Sequence, residues 1–96
     1  MSYYSRIRAK YPDRCPVIVE KRGSTIPQLK RTKFIVPFDL TFSQLLFTIR
    51  QQFEVDPGYG IFMMVGGEIV RGGEMVGSYD NGSLITVVLC SEYVFG

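Results

Sequence analysis

The sequence of 96 residues contains no histidine, and this absence removes several kinds of chemistry. Without an imidazole, the chain lacks the general base that activates the nucleophile in Ser-His and Cys-His sites. A zinc site that uses histidine is excluded for the same reason. The acidic residues are scattered singly, without the spacing typical of a paired general acid and base. The sequence therefore predicts a protein that is not an enzyme and that uses no metal or cofactor.

Cysteines and long apolar runs are also scarce. The two cysteines, Cys15 and Cys90, both lie in apolar, strand-like stretches, which favours buried reduced thiols over a disulfide framework and predicts a cytosolic setting. No stretch approaches the roughly 20 apolar residues of a membrane span, and the N-terminus lacks the apolar segment of a signal peptide. Any association with a membrane must then come from a partner or a covalent anchor.

The net charge is only +2, which is too small to predict binding to nucleic acid. The basic residues are nevertheless concentrated in the first third of the chain, where the acidic residues are Asp13 and Glu20. Such a surface suits acidic peptides, acidic tubulin-like tails or anionic lipid head groups, and a solvated face without a partner is the alternative.

Hydrophobic periodicity predicts two helices. Residues 2–10 favour about two helical turns, which Pro12 ends. The second helix, over residues 40–53, has apolar residues at helical spacing and begins with a T-x-x-Q capping box formed by Thr41 and Gln44. The second helix is thus the one that covers the core.

Four β-branched or apolar runs predict strands, at residues 15–21, 32–38, 61–65 and 84–90. A short extension over residues 68–70 follows the Gly66-Gly67 turn. The order strand, strand, helix, strand, strand predicts an α+β fold of the β-grasp type, in which a four-stranded mixed sheet is covered by one main helix, with a short extra N-terminal helix.

Three stretches form a recognisable pattern: RIRAKYPDRCPVIVEK at residues 6–21, KFIVPFDLT at residues 33–41 with the LLFTIR helix after it, and E-x-x-F-G from Glu92 to Gly96. In these stretches the chain resembles the autophagy ubiquitin-like modifiers of the light-chain-three and GABA-receptor-associated-protein type. The resemblance covers nearly the whole chain, and the YPDR-x-PVIVEK run is highly specific. It implies a short helix at 1–10 packed on a ubiquitin-like domain at 11–90, and a flexible conjugation tail at 91–96.

Two departures from the family pattern accompany this resemblance. Family members normally begin with two helices and this sequence starts near the second, so no property of the first is carried over. Family precursors usually extend beyond the glycine, and whether Gly96 is encoded as the terminus or exposed by processing or truncation is left open.

The resemblance implies a groove that captures aromatic-x-x-aliphatic motifs of cargo receptors and adaptors along the edge of the second strand. The aromatic pocket would be formed by Ile7, Pro16, Ile18, Lys33, Ile35 and Leu84. The aliphatic pocket would be formed by Phe34, Val36, Pro37, Leu40, Leu45 and Thr48. Arg14 and Arg31, together with Lys33, would attract acidic residues that precede the motif. The alternative is that Ile18, Ile35, Leu45 and Leu84 are core residues and that Thr48 bonds back to the carbonyl of Gln44.

The resemblance also implies conjugation of Gly96 to phosphatidylethanolamine by the family's activating and conjugating enzymes, and release by its deconjugating enzymes. The protein would then be cytoplasmic and, once lipidated, bound to the autophagosome membrane, where it recruits cargo receptors. Microtubules are a further implied partner. Two alternatives stay open: a ubiquitin-like modifier attached to protein, and an unconjugated adaptor that binds acidic cytoskeletal or receptor peptides.

Overall fold

The computed structural model describes residues 2–23, 26–53 and 60–91, in which helices and strands follow one another in the predicted order. The bounds are α1 Tyr3–Lys10, β1 Arg14–Lys21, β2 Lys33–Pro37, α2 Phe42–Arg50, β3 Ile61–Val65, β4 Glu68–Ile69, a 3-10 helix Val76–Tyr79 and β5 Ile85–Ser91. The four predicted strands and the N-terminal helix agree with these bounds to within one residue at each end.

The strands form one mixed sheet in the order β2-β1-β5-β3-β4. β2 pairs antiparallel with β1, β5 runs parallel to β1 with Val17 opposite Ile85, and β3 runs antiparallel to β5. β5 therefore lies at the centre of the sheet, which accounts for its unbroken apolar run. The β-grasp fold predicted from the element order is confirmed.

The sheet has five strands rather than the four predicted, because residues 68–70 do not simply extend β3. Gly66 and Gly67 have φ angles of 61° and 83°, and two consecutive positive φ values are what a type I′ hairpin turn requires. The turn reverses the chain, so that Glu68 pairs antiparallel with Val65 and forms the separate edge strand β4.

α2 begins with the predicted capping box. The backbone N–H of Gln44 donates to Thr41 Oγ1 at 3.2 Å, and the backbone N–H of Thr41 donates to Gln44 Oε1 at 2.9 Å. The helix ends at Arg50, earlier than the predicted residue 53. The next turn is tighter, because the N–H groups of Gln51 and Gln52 reach back only three residues, to carbonyls of Thr48 and Ile49.

The core lies between α2 and one face of the sheet. It contains Cys15, Val17, Val19, Ile26, Leu29, Phe34, Val36, Phe42, Leu45, Ile49, Ile61, Met63, Val70, Val76, Ile85, Val87 and Leu89. As predicted, Cys15 and Cys90 are both buried free thiols. Burial raises the pKa of Cys15 to about 11, so this thiol is protonated and unreactive at neutral pH.

The 3-10 helix, which the sequence pattern did not predict, forms hydrogen bonds with the turn between β2 and α2. The N–H of Val76 donates to the Leu40 carbonyl at 2.7 Å, and the N–H of Gly77 donates to the Phe38 carbonyl at 3.0 Å. Val76 is fully buried, and Tyr79 packs edge-on against Phe42 with ring centroids 5.4 Å apart. The position of Leu40 therefore depends on this docked segment.

We expect Gly77→Ala to lower the free energy of unfolding by about 1 to 3 kcal/mol through overpacking. A Cβ at Gly77 would lie 2.6 Å from the Phe38 carbonyl oxygen and 2.7 Å from its Cα, both of which are backbone atoms. Gly73→Ala is the matched control, because a Cβ there meets nothing within 4 Å. Urea denaturation of both variants measures the difference, and equal stabilities would show that the Phe38 turn yields without cost.

Candidate functional site

β2 is an edge strand, and among the described residues only β1 pairs with it. Its other edge therefore offers backbone N–H and C=O groups for pairing with an extended chain. Side chains alternate along the strand: Phe34 and Val36 are buried beneath α2, whereas Lys33 and Ile35 lie on the opposite, outer face of the sheet. The same edge is thus bordered by two different environments.

On the outer face, the β1–β2 register brings four predicted pocket residues together. Pro16 lies opposite Ile35, and Ile18 lies opposite Lys33. Ile18 and Ile35 are half-buried, so each keeps exposed apolar surface, while Pro16 is buried. We call these four residues, Pro16, Ile18, Lys33 and Ile35, the outer-face cluster.

The two remaining residues of the predicted aromatic pocket border this cluster from other elements. Leu84 directly precedes β5, and the pairing of Val17 with Ile85 places it beside Pro16. Ile7 is half-buried on α1, which packs against β1. The structure therefore brings the predicted aromatic-pocket residues together around the outer face of the β2 edge.

On the α2 side, the residues predicted for the aliphatic pocket divide into two groups. Phe34, Val36 and Leu45 are core residues, and Leu45 is fully buried. Pro37 and Thr48 are exposed and Leu40 is half-buried, so these three carry the accessible surface. The burial of Leu45 agrees with the alternative in which it serves the core.

Thr48 agrees in part with the alternative in which its hydroxyl bonds back to the Gln44 carbonyl. Its hydroxyl donates to the Gln44 carbonyl at 3.2 Å, one turn earlier on α2. The residue is nevertheless exposed, so its side chain remains accessible to a ligand.

The basic side chains lie at opposite ends of the β2 edge. Arg31 precedes β2, where its guanidinium stacks 4.8 Å from the centroid of the Phe34 ring. Arg14 lies opposite Pro37, at the far end of the strand. The Lys33 and Pro37 ends are four residues apart, or roughly 13 Å at the rise of a strand. Arg14 and Arg31 therefore form two separate cationic ends, not one patch.

α1 has no fully buried residue, and polar contacts help to hold it in place beside the half-buried Ile7. The Tyr4 hydroxyl donates to Asp80 Oδ1 at 2.7 Å, and the Arg8 guanidinium lies 3.8 Å from Asp80 Oδ2. Arg8 also donates to the Pro12 and Arg14 carbonyls at 2.8 and 2.6 Å. Sequence reasoning did not include Asp80 among the site residues, because no local pattern shows that it meets a residue 76 positions away.

Sequence reasoning also missed Tyr3 as a member of the site. Its ring centroid lies 5.2 Å from the Lys33 ammonium, which connects α1 to β2 across the outer-face cluster. The signal available was its spacing of four residues from Ile7, which places both on one side of α1.

An open cavity of about 330 Å³ adjoins the outer-face cluster where β1 continues beyond the start of β2. It is lined by Ile18, Val19, Glu20, Lys21, Gln28, Leu29 and Thr32. Ile18 therefore borders both this cavity and the outer-face cluster.

The sheet order, the single covering helix and the open β2 edge define a ubiquitin-like β-grasp domain. The protein-family profile described as "Autophagy protein Atg8 ubiquitin like" matches residues 2–96, and the chain belongs to this family. It is an autophagy ubiquitin-like protein of the Atg8 type.

Individual relatives agree with this membership. Autophagy-related protein 8a of Arabidopsis thaliana is 47% identical over 66 residues, which cover 68% of this chain and 54% of that protein. Autophagy-related protein 8e of the same plant is 36% identical over 97 residues, covering 95% of this chain and 80% of that protein. The crystal structure of Trypanosoma brucei ATG8 superposes with a TM-score of 0.82 at 26% identity, over 97% of this chain and 85% of that one. These matches support the family as a whole and do not separate its light-chain-three and GABA-receptor-associated-protein types.

The contact between α1 and Asp80 predicts a loss of stability at alkaline pH. The hydrogen bond to Asp80, with burial and the Asp80 charge, raises the pKa of Tyr4 above its usual value. The folded state holds the Tyr4 phenol proton more tightly than the unfolded state does. The contribution of Tyr4 to the free energy of unfolding is therefore complete below pH about 10 and is lost as the pH rises through the raised pKa. We expect Tyr4→Phe to be less stable than the wild type at pH 8 and to lose less stability between pH 9 and 11.

Urea denaturation across this pH range measures the effect. The pKa of Tyr79 is raised as well, by its hydrogen bond to Glu74, but this contribution is common to both proteins and cancels in the comparison. Parallel stability curves for the wild type and Tyr4→Phe would show that the Asp80 contact does not anchor α1.

Proposed function

We propose that this protein is an Atg8-type modifier whose β2 edge captures aromatic-x-x-aliphatic motifs of cargo receptors and whose Gly96 is conjugated to phosphatidylethanolamine. The observation that carries the proposal is that one free strand edge is bordered by apolar surface on both faces of the sheet. An extended peptide that pairs with β2 can place side chains on both faces at once.

The spacing of the motif fits this arrangement. Successive side chains of a strand point to opposite faces, so two residues separated by three positions lie on opposite faces of the sheet. A peptide on the β2 edge would therefore put its aromatic residue on the outer-face cluster and its aliphatic residue on the α2 side. Ile35 would contact the first, and Pro37, Leu40 and Thr48 would contact the second.

The positions of the two proposed pockets support one direction for the peptide. The outer-face cluster is centred near Lys33 and Ile35, whereas the accessible residues of the α2 side begin at Pro37. A motif that runs from aromatic to aliphatic is then parallel to β2. Residues before the motif would approach Arg31 and Lys33.

This direction changes the role of Arg14. Since Arg14 lies opposite Pro37, it would meet acidic residues near the aliphatic anchor, not those that precede the aromatic residue. Exposed charge pairs are individually weak, so both cationic ends would act mainly on association rate and selectivity.

The proposed lipid supplies membrane affinity. Among the helices of the described residues, none is long and apolar enough to cross a membrane. Conjugated acyl chains would contribute about 0.8 kcal/mol per buried CH₂. Ser91, which was predicted to begin the tail, is instead the last residue of β5 and pairs with Ile61. Residues 92–96, which lie outside the described residues, would serve as the conjugation tail. Family activating, conjugating and deconjugating enzymes would act on Gly96, and the protein itself would perform no catalysis.

We expect Ile35→Ala to weaken binding of an aromatic-x-x-aliphatic peptide by about 1 to 3 kcal/mol, because apolar contact with the aromatic residue is lost. Val88→Ala is the matched control, since Val88 is half-buried on the same outer face but on β5, two strands from the β2 edge. Isothermal titration calorimetry measures both affinities. Equal losses in the two variants would remove Ile35 from the ligand contacts.

Deletion of Gly96 should abolish conjugation, because acyl transfer needs a terminal carboxylate on a residue without a side chain, and deletion leaves that carboxylate on Phe95. Peptide affinity should stay nearly unchanged, because the groove does not use the tail. Intact-mass measurement after incubation with family enzymes, ATP and phosphatidylethanolamine liposomes tests the wild type and the truncated chain. A lipid-sized gain restricted to the wild type is expected. Attachment to protein would favour the protein-modifier alternative, and no gain in either chain would favour the unconjugated adaptor, including one that binds microtubules.

A further inference from the structure

Tyr3 and Lys33 form a contact between α1 and the β2 edge that the proposed function does not yet use. The Lys33 ammonium lies 5.2 Å from the Tyr3 ring centroid, within the range of a cation–π interaction. Lys33 is exposed and Tyr3 is half-buried. The pair lies at the end of the outer-face cluster from which a parallel peptide would enter.

The ring fixes a side chain that would otherwise be mobile. A lysine stem has many accessible rotamers and an exposed ammonium is strongly hydrated, so a Lys33 side chain without a partner would spend much of its time in solvent. Tyr3 is itself held because the neighbouring Tyr4 is bonded to Asp80 at 2.7 Å. The Lys33 ammonium is therefore held near the Tyr3 ring, while the Lys33 backbone lies opposite Ile18 in the β1–β2 register.

A motif ring resting on Ile18 and Ile35 would lie next to Lys33, which shares the outer face with them. The cluster is otherwise apolar, so a ring of any kind gains from burial there. A cation at the border of the cluster adds a cation–π attraction, which depends on the π-electron density of the ring and is strongest for tryptophan.

We propose that Tyr3 is a specificity-determining residue of the aromatic pocket: by holding the Lys33 ammonium at the pocket, it makes the groove select motifs whose aromatic residue is tryptophan. This inference rests on the proposed peptide-binding function. Tyr3 acts through Lys33 and is a positioning residue.

The test is a calorimetric series with one motif peptide that carries tryptophan, its mono-, di- and tetrafluorinated forms, or phenylalanine at the aromatic position. Fluorination withdraws π-electron density and changes the shape of the indole little. Affinity for the wild type should fall about two- to fivefold from tryptophan to tetrafluorotryptophan, the size expected for one exposed cation–π contact.

The variants distinguish the contribution of the Lys33 charge from that of the Tyr3 ring that positions it. Lys33→Met removes the ammonium and Tyr3→Leu removes the ring, so both should abolish the dependence on fluorination. Tyr3→Phe keeps a ring and should preserve it. Tyr11→Leu is the matched control, because Tyr11 contacts Lys10 and Arg14 at the other end of α1, and it should also preserve the dependence.

Several outcomes overturn the inference. A wild type whose affinity is insensitive to fluorination excludes the cation–π contact, and Tyr3→Leu with an unchanged dependence excludes the role of Tyr3. If Tyr3→Leu weakens the phenylalanine peptide as much as the tryptophan peptide, Tyr3 acts only by supporting α1. If the wild type binds the tryptophan peptide but one of these outcomes is observed, only this inference is overturned and the proposed function stands. A wild type that binds none of the peptides overturns the proposed function together with it.

Discussion

The parallel pairing of β5 with β1 is the constraint on which the rest of the structure depends. It joins strands near opposite ends of the chain and buries Val17, Val19, Val87 and Leu89 almost completely. Because β5 occupies one side of β1, the hairpin partner β2 is left on the other side, at the edge of the sheet. The proposed peptide site at the β2 edge is thus available because β5, and not β2, occupies the centre of the sheet.

The two sides of the groove are held by different kinds of interaction. The α2 side is continuous with the core: fully buried Leu45 lies beneath it, and the 3-10 helix fixes the carbonyls of Phe38 and Leu40. On the α1 side, the helix itself has no buried residue, and hydrogen bonds to Asp80 and the Arg8 contacts join it to the domain. Since polar contacts at a surface are weaker than core packing, α1 is the side of the groove with the smaller free energy of opening.

In the proposed complex, shape and charge contribute differently to recognition along the edge. The apolar surfaces on opposite faces would set the spacing of the motif, while Arg31 and Arg14 would lie at its two ends. The Lys33 and Pro37 ends of β2 are roughly 13 Å apart, which exceeds the Debye length of about 8 Å at physiological salt, so charges at the two ends would act on different residues of a bound peptide. Each of the two arginines would therefore interact with acidic residues on its own side of the motif.

The sequence by itself determined the features that depend on near neighbours. Strand alternation, helical spacing and the Thr41 capping box involve residues a few positions apart, so the elements, the β-grasp order and the buried cysteines were predictable. The hairpin after Gly67 was read as an extension, because glycines show a turn but not whether the returning chain pairs. For the site, the sequence and the family resemblance together indicated the residues on either side of β2.

Only the tertiary structure decided which of those residues are accessible and where their charges lie. Burial of Leu45 and separation of Arg14 from Arg31 follow from sheet order and register, which no local pattern encodes. The contacts of Tyr3 with Lys33 and of Tyr4 with Asp80 join residues 30 and 76 positions apart. Such contacts form when β1 and β5 close the sheet and bring the N-terminal helix beside residues far along the chain.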